Sequence, residues 1–145
     1  FSLAAERIDE FRDAVAEFWT GTDRSTETAM TLAADCRLRP ETVNFETLEI
    51  HRALEPFGEG FQYPLYVTSG LTLGRTERVG NNQKHLKLTF RNIPASVSPI
   101  WFGMGMVADE LASGAQYDVA FRLGGSTFRG ESRVDLFVED MRTAS

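Results

Sequence analysis

The sequence predicts a mainly β protein of the α+β class, a five-stranded barrel preceded by a helix, a strand and a second helix. Two observations support this fold class. Apolar residues recur at helical spacing in the first third of the chain, and from about Tyr63 they alternate with polar residues, as in half-buried strands. Glycines and prolines separate the alternating segments, as they do in domains built from short strands.

The composition indicates an ordinary globular protein. The chain has 145 residues, of which 42% are hydrophobic and 25% charged. No apolar run approaches the ~20 residues of a membrane helix, and FSLAAERIDEF lacks the features of a signal peptide. We therefore expect a cytoplasmic protein without a membrane partner.

Cysteine and histidine are scarce. The single cysteine, Cys36, excludes an internal disulfide, and two histidines, His51 and His85, are too few for a metal-ligand cluster. We expect no metal site and no catalytic residue in this chain. Cys36 lies in the alternating segment LAADCRL, which predicts a half-buried strand cysteine.

Two helices are predicted before the barrel. Ile8, Phe11, Val15 and Phe18 form one apolar stripe, and Gly21 is placed to end that helix before a polar linker. A short strand, TLAADCRL, comes next. The second helix is predicted in ETVNFETLEIHRALEPFG, with Pro40 and Pro56 on either side of it. Its buried stripe is predicted as Val43, Ile50, Leu54 and Phe57, which leaves His51 on the solvated side.

The alternating region predicts five strands. They cover 63–79, 84–90, 97–103, 117–123 and 133–141, with a short helix at 104–114 and a glycine-rich loop at 124–132. Gly70 and Gly74 interrupt the long first strand, as in a strand that coils or bulges. A helix between the third and fourth of five strands is the order of an OB-fold barrel.

Charge is distributed unevenly along the chain. The net charge is −6, and residues 1–66 hold 6 of the 15 basic and 13 of the 21 acidic side chains. Within 75–91, by contrast, Glu77 is the one acid among five basic residues, which are Arg75, Arg78, Lys84, Lys87 and Arg91. A local basic stripe matters more than total charge for binding a polyanion.

Several segments, in order, resemble one protein family. LEPFGEG, HLKLTF, IWFGMG, YDVAFRL and FRGESRVDLFVEDMR are similar to the C-terminal part of RecJ-type single-stranded-DNA exonucleases. FSLAAERIDEFRDAVAEF is similar to a helix of that family's DHH-associated domain. The resemblance implies three parts: 1–22 as the terminal helix of a truncated DHH-associated domain, 23–62 as a connector, and 63–145 as an OB-fold domain. In this interpretation LEPFGEG is the hinge that joins the connector to the barrel.

The resemblance also implies a function. The chain would be the single-stranded-DNA-binding module of a 5′-to-3′ exonuclease whose catalytic core lies in other domains. The parent enzyme would use Mn²⁺ or Mg²⁺, whereas this chain would hold no cofactor and would not be catalytic alone. The implied partners are single-stranded DNA, the missing nuclease domains and a single-strand-binding protein. The alternative is a structural or protein-interaction barrel that clamps the nuclease lobes or recruits a repair partner.

The predicted binding face follows from strand alternation. If Leu86, Leu88 and Phe90 point inward, then His85, Lys87 and Arg91 point outward. The same argument turns Ile100 and Phe102 inward and Trp101 outward, where it would stack on bases. The predicted nucleic-acid-binding residues are Arg75, Arg78, Lys84, His85, Lys87, Arg91, Trp101, Phe128 and Arg129.

Three of these assignments stay open at the level of sequence. Trp101 either stacks on bases or packs against the neighbouring connector or helix. Lys87 and Arg91 either bind phosphate or form an ordinary solvated strand face. Phe128 either reaches the binding groove or plugs the mouth of the barrel.

Overall fold

The computed structural model describes residues 31–145, of which residues 33–145 form one compact unit. The predicted first helix and the linker after it lie outside the described residues. Within the described part of the chain, no helix is long and apolar enough to cross a membrane.

The described residues form one α-helix and six strands. The helix, α1, is Phe45–Ala53, and the strands are β1 (Cys36–Arg37), β2 (Tyr66–Val79), β3 (His85–Phe90), β4 (Val97–Trp101), β5 (Gln116–Phe128) and β6 (Glu131–Thr143). Three short 3-10 helices occupy Pro40–Thr42, Asn81–Gln83 and Gly105–Asp109. The predicted mainly β fold class is confirmed.

All six strands belong to one sheet. Its order is β1-β2-β3-β4-β6-β5, and β5 pairs in addition with β2. The pairings of β1 with β2 and of β4 with β6 are parallel, and the others are antiparallel. Side chains from one face of the strands form a single apolar core.

Strand β2 bends twice. Its register slips between Thr68 and Leu71 against β5, and again between Leu73 and Arg75 against β3. Gly70, with φ of 70°, lies in the first irregularity, and Gly74 lies in the second. The prediction that glycines interrupt this strand is confirmed, and the bends let β2 pair with β5 at one end and with β3 at the other.

Helix α1 is shorter than predicted and buries a different face. It begins after Asn44, whose side-chain Oδ1 accepts a 3.1 Å hydrogen bond from the backbone N–H of Thr47. Leu48 and His51 are buried, whereas Ile50 and Leu54 are 61% and 46% exposed. The predicted buried stripe is therefore wrong at these positions.

The buried face of α1 is determined by the residues of the sheet against which it packs. A Cβ placed on Gly125 would come within 2.9 Å of Leu48 Cδ2, so Leu48 packs where β5 has no side chain. His51 lies one helical turn later and packs against Tyr66 of β2. Helical periodicity marks an apolar stripe, but it does not reveal a glycine gap on a distant strand.

The environment of Cys36 also differs from the prediction. The predicted strand over 31–38 is reduced to Cys36–Arg37, and Cys36 is exposed rather than half-buried. Among the described residues, strand β1 pairs with β2 alone, at two positions, so it forms an edge of the described sheet.

The predicted glycine-rich loop at 124–132 is mostly strand. Strands β5 and β6 continue as a hairpin up to the pair Phe128–Glu131, and only Arg129 and Gly130 form the turn. Both have positive φ, 51° and 80°, as a two-residue type I′ turn requires. The predicted helix at 104–114 is the 3-10 helix Gly105–Asp109.

Candidate nucleic-acid interface

The outer face of β3 and its neighbours carries the predicted basic residues. Leu86, Leu88 and Phe90 are buried as predicted, so His85 and Lys87 point to the other side of β3. Lys87 pairs with Glu77 of β2 and with Ile100 of β4, and Ile100 pairs in turn with Phe137 of β6. These four side chains form one row across the sheet.

Lys87 is available to bind an anion. Glu77, its neighbour on β2, forms its ion pair with Arg75, at 2.7 Å between Arg75 Nη2 and Glu77 Oε2. Lys87 forms no ion pair with another described residue. Lys87 is half-buried beside Ile100, and its charge is not neutralised by an acid of the described chain.

Phe137 of this row and two rings beside the row are called the aromatic cluster: His85, Phe102 and Phe137. The ring centroids of Phe102 and Phe137 are 6.1 Å apart with planes inclined by 24°, and His85 meets Phe102 edge to face at 5.1 Å. Phe102 is 55% and Phe137 37% exposed. Exposed aromatic rings beside a lysine provide both stacking surfaces and a countercharge for single-stranded nucleic acid.

Glycines hold two of these rings against the sheet. A Cβ on Gly124 of β5 would lie 2.6 Å from Cε2 of Phe137, so the Phe137 ring occupies the space above Gly124. A Cβ on Gly80 would lie 2.6 Å from Cδ2 of His85 in the same way. The rings are thus supported from below while their outer faces stay open.

The orientation of His85 is fixed by a hydrogen bond. The backbone N–H of Gly103 donates to His85 Nδ1 at 3.0 Å. Nδ1 is therefore unprotonated, and in the neutral ring the proton is carried by Nε2. This bond ties the end of β4, and with it Phe102, to β3.

Trp101 does not lie on this face. It belongs to the buried core at 9% exposure, together with Val97 and Pro99 of the same strand. The prediction that Ile100 and Phe102 face the core and Trp101 faces solvent is wrong, because β4 has the opposite phase. The parallel pairing with β6 sets this phase, since Pro99 lies opposite the fully buried Leu136.

The side chain of Arg78 forms structural contacts within the domain. Its Nε donates to the carbonyl oxygen of Gly105 at 2.9 Å, and its Nη2 pairs with Asp109 Oδ2 at 2.5 Å. The side chain is 33% exposed and holds the 3-10 helix Gly105–Asp109 to the end of β2. Its guanidinium is occupied by these contacts, so we do not include it in the binding face.

The other predicted basic residues surround the face. Arg75 is exposed on β2, Lys84 is exposed in the turn before β3, and Arg91 is exposed just after β3. The backbone N–H of Arg91 donates to the Thr72 carbonyl at 2.9 Å, which ties the end of β3 to β2. Lys84 and Arg91 thus flank strand β3 at its two ends, and Arg75 pairs with Thr89 of that strand.

Phe128 and Arg129 lie at the tip of the β5–β6 hairpin. Phe128 is 50% exposed, and two guanidinium groups lie over its ring, that of Arg129 at 5.2 Å and that of Arg133 at 4.8 Å from the ring centroid. Phe128 therefore does not plug the barrel mouth. Phe128, Arg129 and Arg133 form a second exposed surface with aromatic and basic side chains, separate from the aromatic cluster.

Sequence reasoning missed Phe102, Phe137 and Arg133. A signal for Phe137 was present: Val134, Leu136 and Val138 form a clean inward phase, which leaves Phe137 outside. The phase of β4 gave no such signal, because Val97, Pro99 and Trp101 alternate with Ser98, Ile100 and Phe102 and both sets contain large apolar residues. No group of three His, Cys, Asp or Glu side chains that could hold a metal occurs within 31–145.

Comparison with known proteins identifies related sequences. A family model described as the RecJ OB domain matches residues 34–140. "Single-stranded-DNA-specific exonuclease RecJ" of Bacillus subtilis (strain 168) is 19% identical over 139 residues, covering 96% of this chain and 18% of the relative. The protein of the same name from Dickeya dadantii (strain 3937) is 26% identical over 144 residues, covering 97% of this chain and 24% of the relative.

A solved structure has a similar fold. The crystal structure of RecJ in complex with Mn²⁺ from Thermus thermophilus matches with a TM-score of 0.59 and 19% identity, covering 100% of this chain and 20% of that chain. The chain thus spans about a fifth to a quarter of the length of these relatives.

Proposed function

The chain belongs to the RecJ OB domain family, and from this premise we propose that it is the single-stranded-DNA-binding module of a RecJ-like 5′-to-3′ single-stranded-DNA exonuclease. The module would position substrate for a catalytic core contained in other domains. The core would depend on Mn²⁺ or Mg²⁺. Because no metal-ligand group occurs within 31–145, the proposal assigns no metal and no catalytic step to these residues.

The proposal includes the five-stranded barrel predicted from the sequence. The pairings support it: β2 pairs with β3, β3 with β4, β4 with β6, β6 with β5, and β5 again with β2. In this cycle each of the five strands has two neighbours, and the two bends of β2 supply the curvature that closure needs.

One observation carries the binding proposal. Phe102 and Phe137 are adjacent and exposed on the outer side of the sheet, and Phe137 belongs to the row that contains Lys87. Contiguous exposed aromatic rings form an apolar patch, and such patches mark ligand or partner surfaces. Bases would stack on the aromatic cluster, and the phosphates between them would meet Lys87, with Arg91, Arg75 and Lys84 flanking the strand.

The hairpin tip extends the proposed path. Phe128, Arg129 and Arg133 combine an exposed ring with two positive charges, which suits a base and its phosphate. The tip lies six residues along β6 from Phe137, so a strand that crosses the face as far as Phe137 would have to turn along β6 to reach it.

Binding of a labelled single-stranded oligonucleotide tests the proposal. We expect fluorescence anisotropy to detect binding, and Phe102→Ala to weaken it by about 1–3 kcal/mol, the usual value of one stacked base. Phe61→Ala is a matched control, since Phe61 is 51% exposed but lies in the connector before β2. Equal loss in both variants, or binding of duplex and single strand with the same affinity, would contradict the proposal.

A second candidate function is a protein-interaction module. It is supported by a groove of about 650 Å³ between β1, α1 and the connector, lined by Leu38, Ile50, Leu54 and Phe61 among others. Exposed apolar side chains of this kind occur at protein-binding surfaces. In this alternative the domain would clamp nuclease lobes or recruit a repair partner such as a single-strand-binding protein, and Phe61→Ala would weaken that contact while DNA binding was retained.

A further inference from the structure

Strand β6 carries a carboxylate between an aromatic and a basic residue of its outer face. Val134 and Leu136 are fully buried, so Arg133, Asp135 and Phe137 point to the other side of the strand. Successive residues on one face of a strand lie about 6.5 Å apart. Asp135 therefore lies between Phe137 of the aromatic cluster and Arg133 of the hairpin tip.

The ring of Phe137 leans towards Asp135. Phe137 is paired with Arg122 of β5, whereas Asp135 is paired with Gly124. A Cβ on Gly124 would lie 2.6 Å from Cε2 of Phe137, so the ring reaches diagonally to the position opposite Asp135. Opposite positions of an antiparallel pair have Cβ atoms only about 4.5–5.5 Å apart. A base stacked on Phe137 would therefore lie beside the Asp135 carboxylate.

The carboxylate of Asp135 is half-buried, and no cation of the described chain neutralises it. Glu139, the acid on the other side of Phe137, is paired with Arg122 at 2.9 Å between Nε and Oε1. The guanidinium of Arg133 lies over the ring of Phe128 instead. An ionised carboxylate only accepts hydrogen bonds, so Asp135 calls for N–H donors from a ligand.

This charge decides which part of a nucleotide can face β6 at this position. A phosphate would be repelled by Asp135, whereas the N–H groups on the edge of a base would be attracted. Lys87 and the cations around it lie on the β2 and β3 side of the face. A bound strand would therefore place its phosphates towards β3 and the edge of a base towards Asp135.

We propose that Asp135 is a specificity-determining residue, which makes the domain prefer an unpaired guanine at the position stacked on Phe137. This inference rests on the proposed function and adds base selectivity to it. Guanine presents its N1–H and N2 amino group side by side, and these two donors match the two oxygens of a carboxylate. Cytosine and adenine each offer one amino group, and the N3–H of thymine lies between two carbonyl oxygens that would repel Asp135.

Oligonucleotides that differ in a single base test the preference on the unmodified 145-residue chain. Each is an oligothymidine whose central residue is deoxyguanosine, deoxyinosine or thymidine, and deoxyinosine differs from deoxyguanosine only in lacking the N2 amino group. We expect fluorescence anisotropy to show about tenfold tighter binding of the deoxyguanosine strand than of the deoxyinosine strand, the usual effect of one hydrogen bond to a charged group. Equal affinity for the three strands would overturn the inference and leave the proposed function standing.

A pair of variants assigns the preference to Asp135. Asp135→Asn should remove most of the discrimination between deoxyguanosine and deoxyinosine. Glu59→Gln removes the same charge at an exposed position of the connector and should keep it. If Asp135→Asn instead bound all three strands more tightly by the same factor, Asp135 would only repel phosphates and the inference would be wrong. No binding of any strand by the wild type would overturn the proposed function and the inference with it.

Discussion

Nδ1 of His51 lies 3.0 Å from the phenolic oxygen of Tyr66, and both side chains are buried. The contact joins α1 to the first residue of β2. The sequence pattern indicated a solvated histidine, so this is one of the clearest differences between prediction and structure. It also makes the stability of the protein depend on pH.

Acid should destabilise the fold through His51. Burial lowers the pKa of His51 below its usual value, the Glu55 carboxylate opposes this shift, and the Arg52 guanidinium adds to it. The unfolded chain therefore binds the proton at higher pH than the folded one. The contribution of neutral His51 to the free energy of unfolding is therefore fully present above about pH 6.5, and it is lost as the pH falls through the folded-state pKa. The free energy of unfolding should fall in this range by at most about 1.4 kcal/mol per pH unit.

Urea unfolding between pH 5 and 8 would measure this slope. In His51→Gln, which keeps a polar side chain without a titrating group, the part of the slope due to His51 should disappear. Retention of the full wild-type slope by this variant would show that other groups cause the acid sensitivity.

Trp101→Ala should lower the stability of the protein far more than Phe102→Ala, although the two residues are adjacent. Truncating the buried Trp101 should lower the free energy of unfolding by about 3–5 kcal/mol, because it leaves a cavity in the core. Phe102 is exposed, so its truncation should cost less than about 1 kcal/mol of stability. Thermal unfolding of both variants measures the difference, and a stable Trp101→Ala protein would contradict the observed phase of β4.

Lys87→Ala should change the salt dependence of DNA binding. Each phosphate neutralised contributes about −0.7 to the slope of log K against log salt for a single strand, so this variant should lose roughly that amount. Arg142→Ala serves as the control, since Arg142 is exposed near the end of β6 and lies beside Asp118. Salt titrations of both variants measure these slopes. An equal loss of slope in Lys87→Ala and Arg142→Ala would show that Lys87 acts through the overall charge of the protein and does not contact a particular phosphate.

Gly105→Ala should be strongly destabilising. A Cβ at this position would lie 2.0 Å from the carbonyl oxygen of Gln83, because the 3-10 helix lies directly on the turn before β3. The N–H of Gly105 also donates to the Lys84 carbonyl at 2.8 Å. We expect a loss of more than about 2 kcal/mol in chemical unfolding.

Gly58→Ala is the matched control for that substitution. Nothing lies within 4 Å of a Cβ built at Gly58, so its stability should stay within about 0.5 kcal/mol of the wild type. If both variants lost the same stability, crowding at Gly105 would not be the reason.

The strands could be predicted where polar and apolar residues alternate without ambiguity. In His85–Phe90 the inward positions are all large and apolar, and the structure agrees at each one. In Val97–Trp101 both phases contain large apolar residues, so alternation alone did not decide between them. The phase of β4 is determined by its pairing with β6. Val134 and Leu136 of β6 point into the core, and their register partners on β4, Val97 and Pro99, point the same way.

The residues of the candidate site also differ in how far the sequence could predict them. Lys87 could be placed from its own strand, whereas Phe137 was overlooked although its strand has a clear phase. The role of Arg78 could not be read from sequence, because its acceptors, Gly105 and Asp109, lie 27 and 31 residues away. His51 was misplaced for the same reason, since its partner is on another element.

The parallel contact between β4 and β6 also restricts the order in which the protein can fold. Val97 pairs with Val134 and Ile100 with Phe137, so β4 obtains its second neighbour only from the last strand of the sequence. Pairings so distant along the chain require a long loop to close first, which makes folding slower. During synthesis one edge of β4 would therefore stay unpaired until β6 had emerged from the ribosome. The outer row from Lys87 to Phe137 would form last.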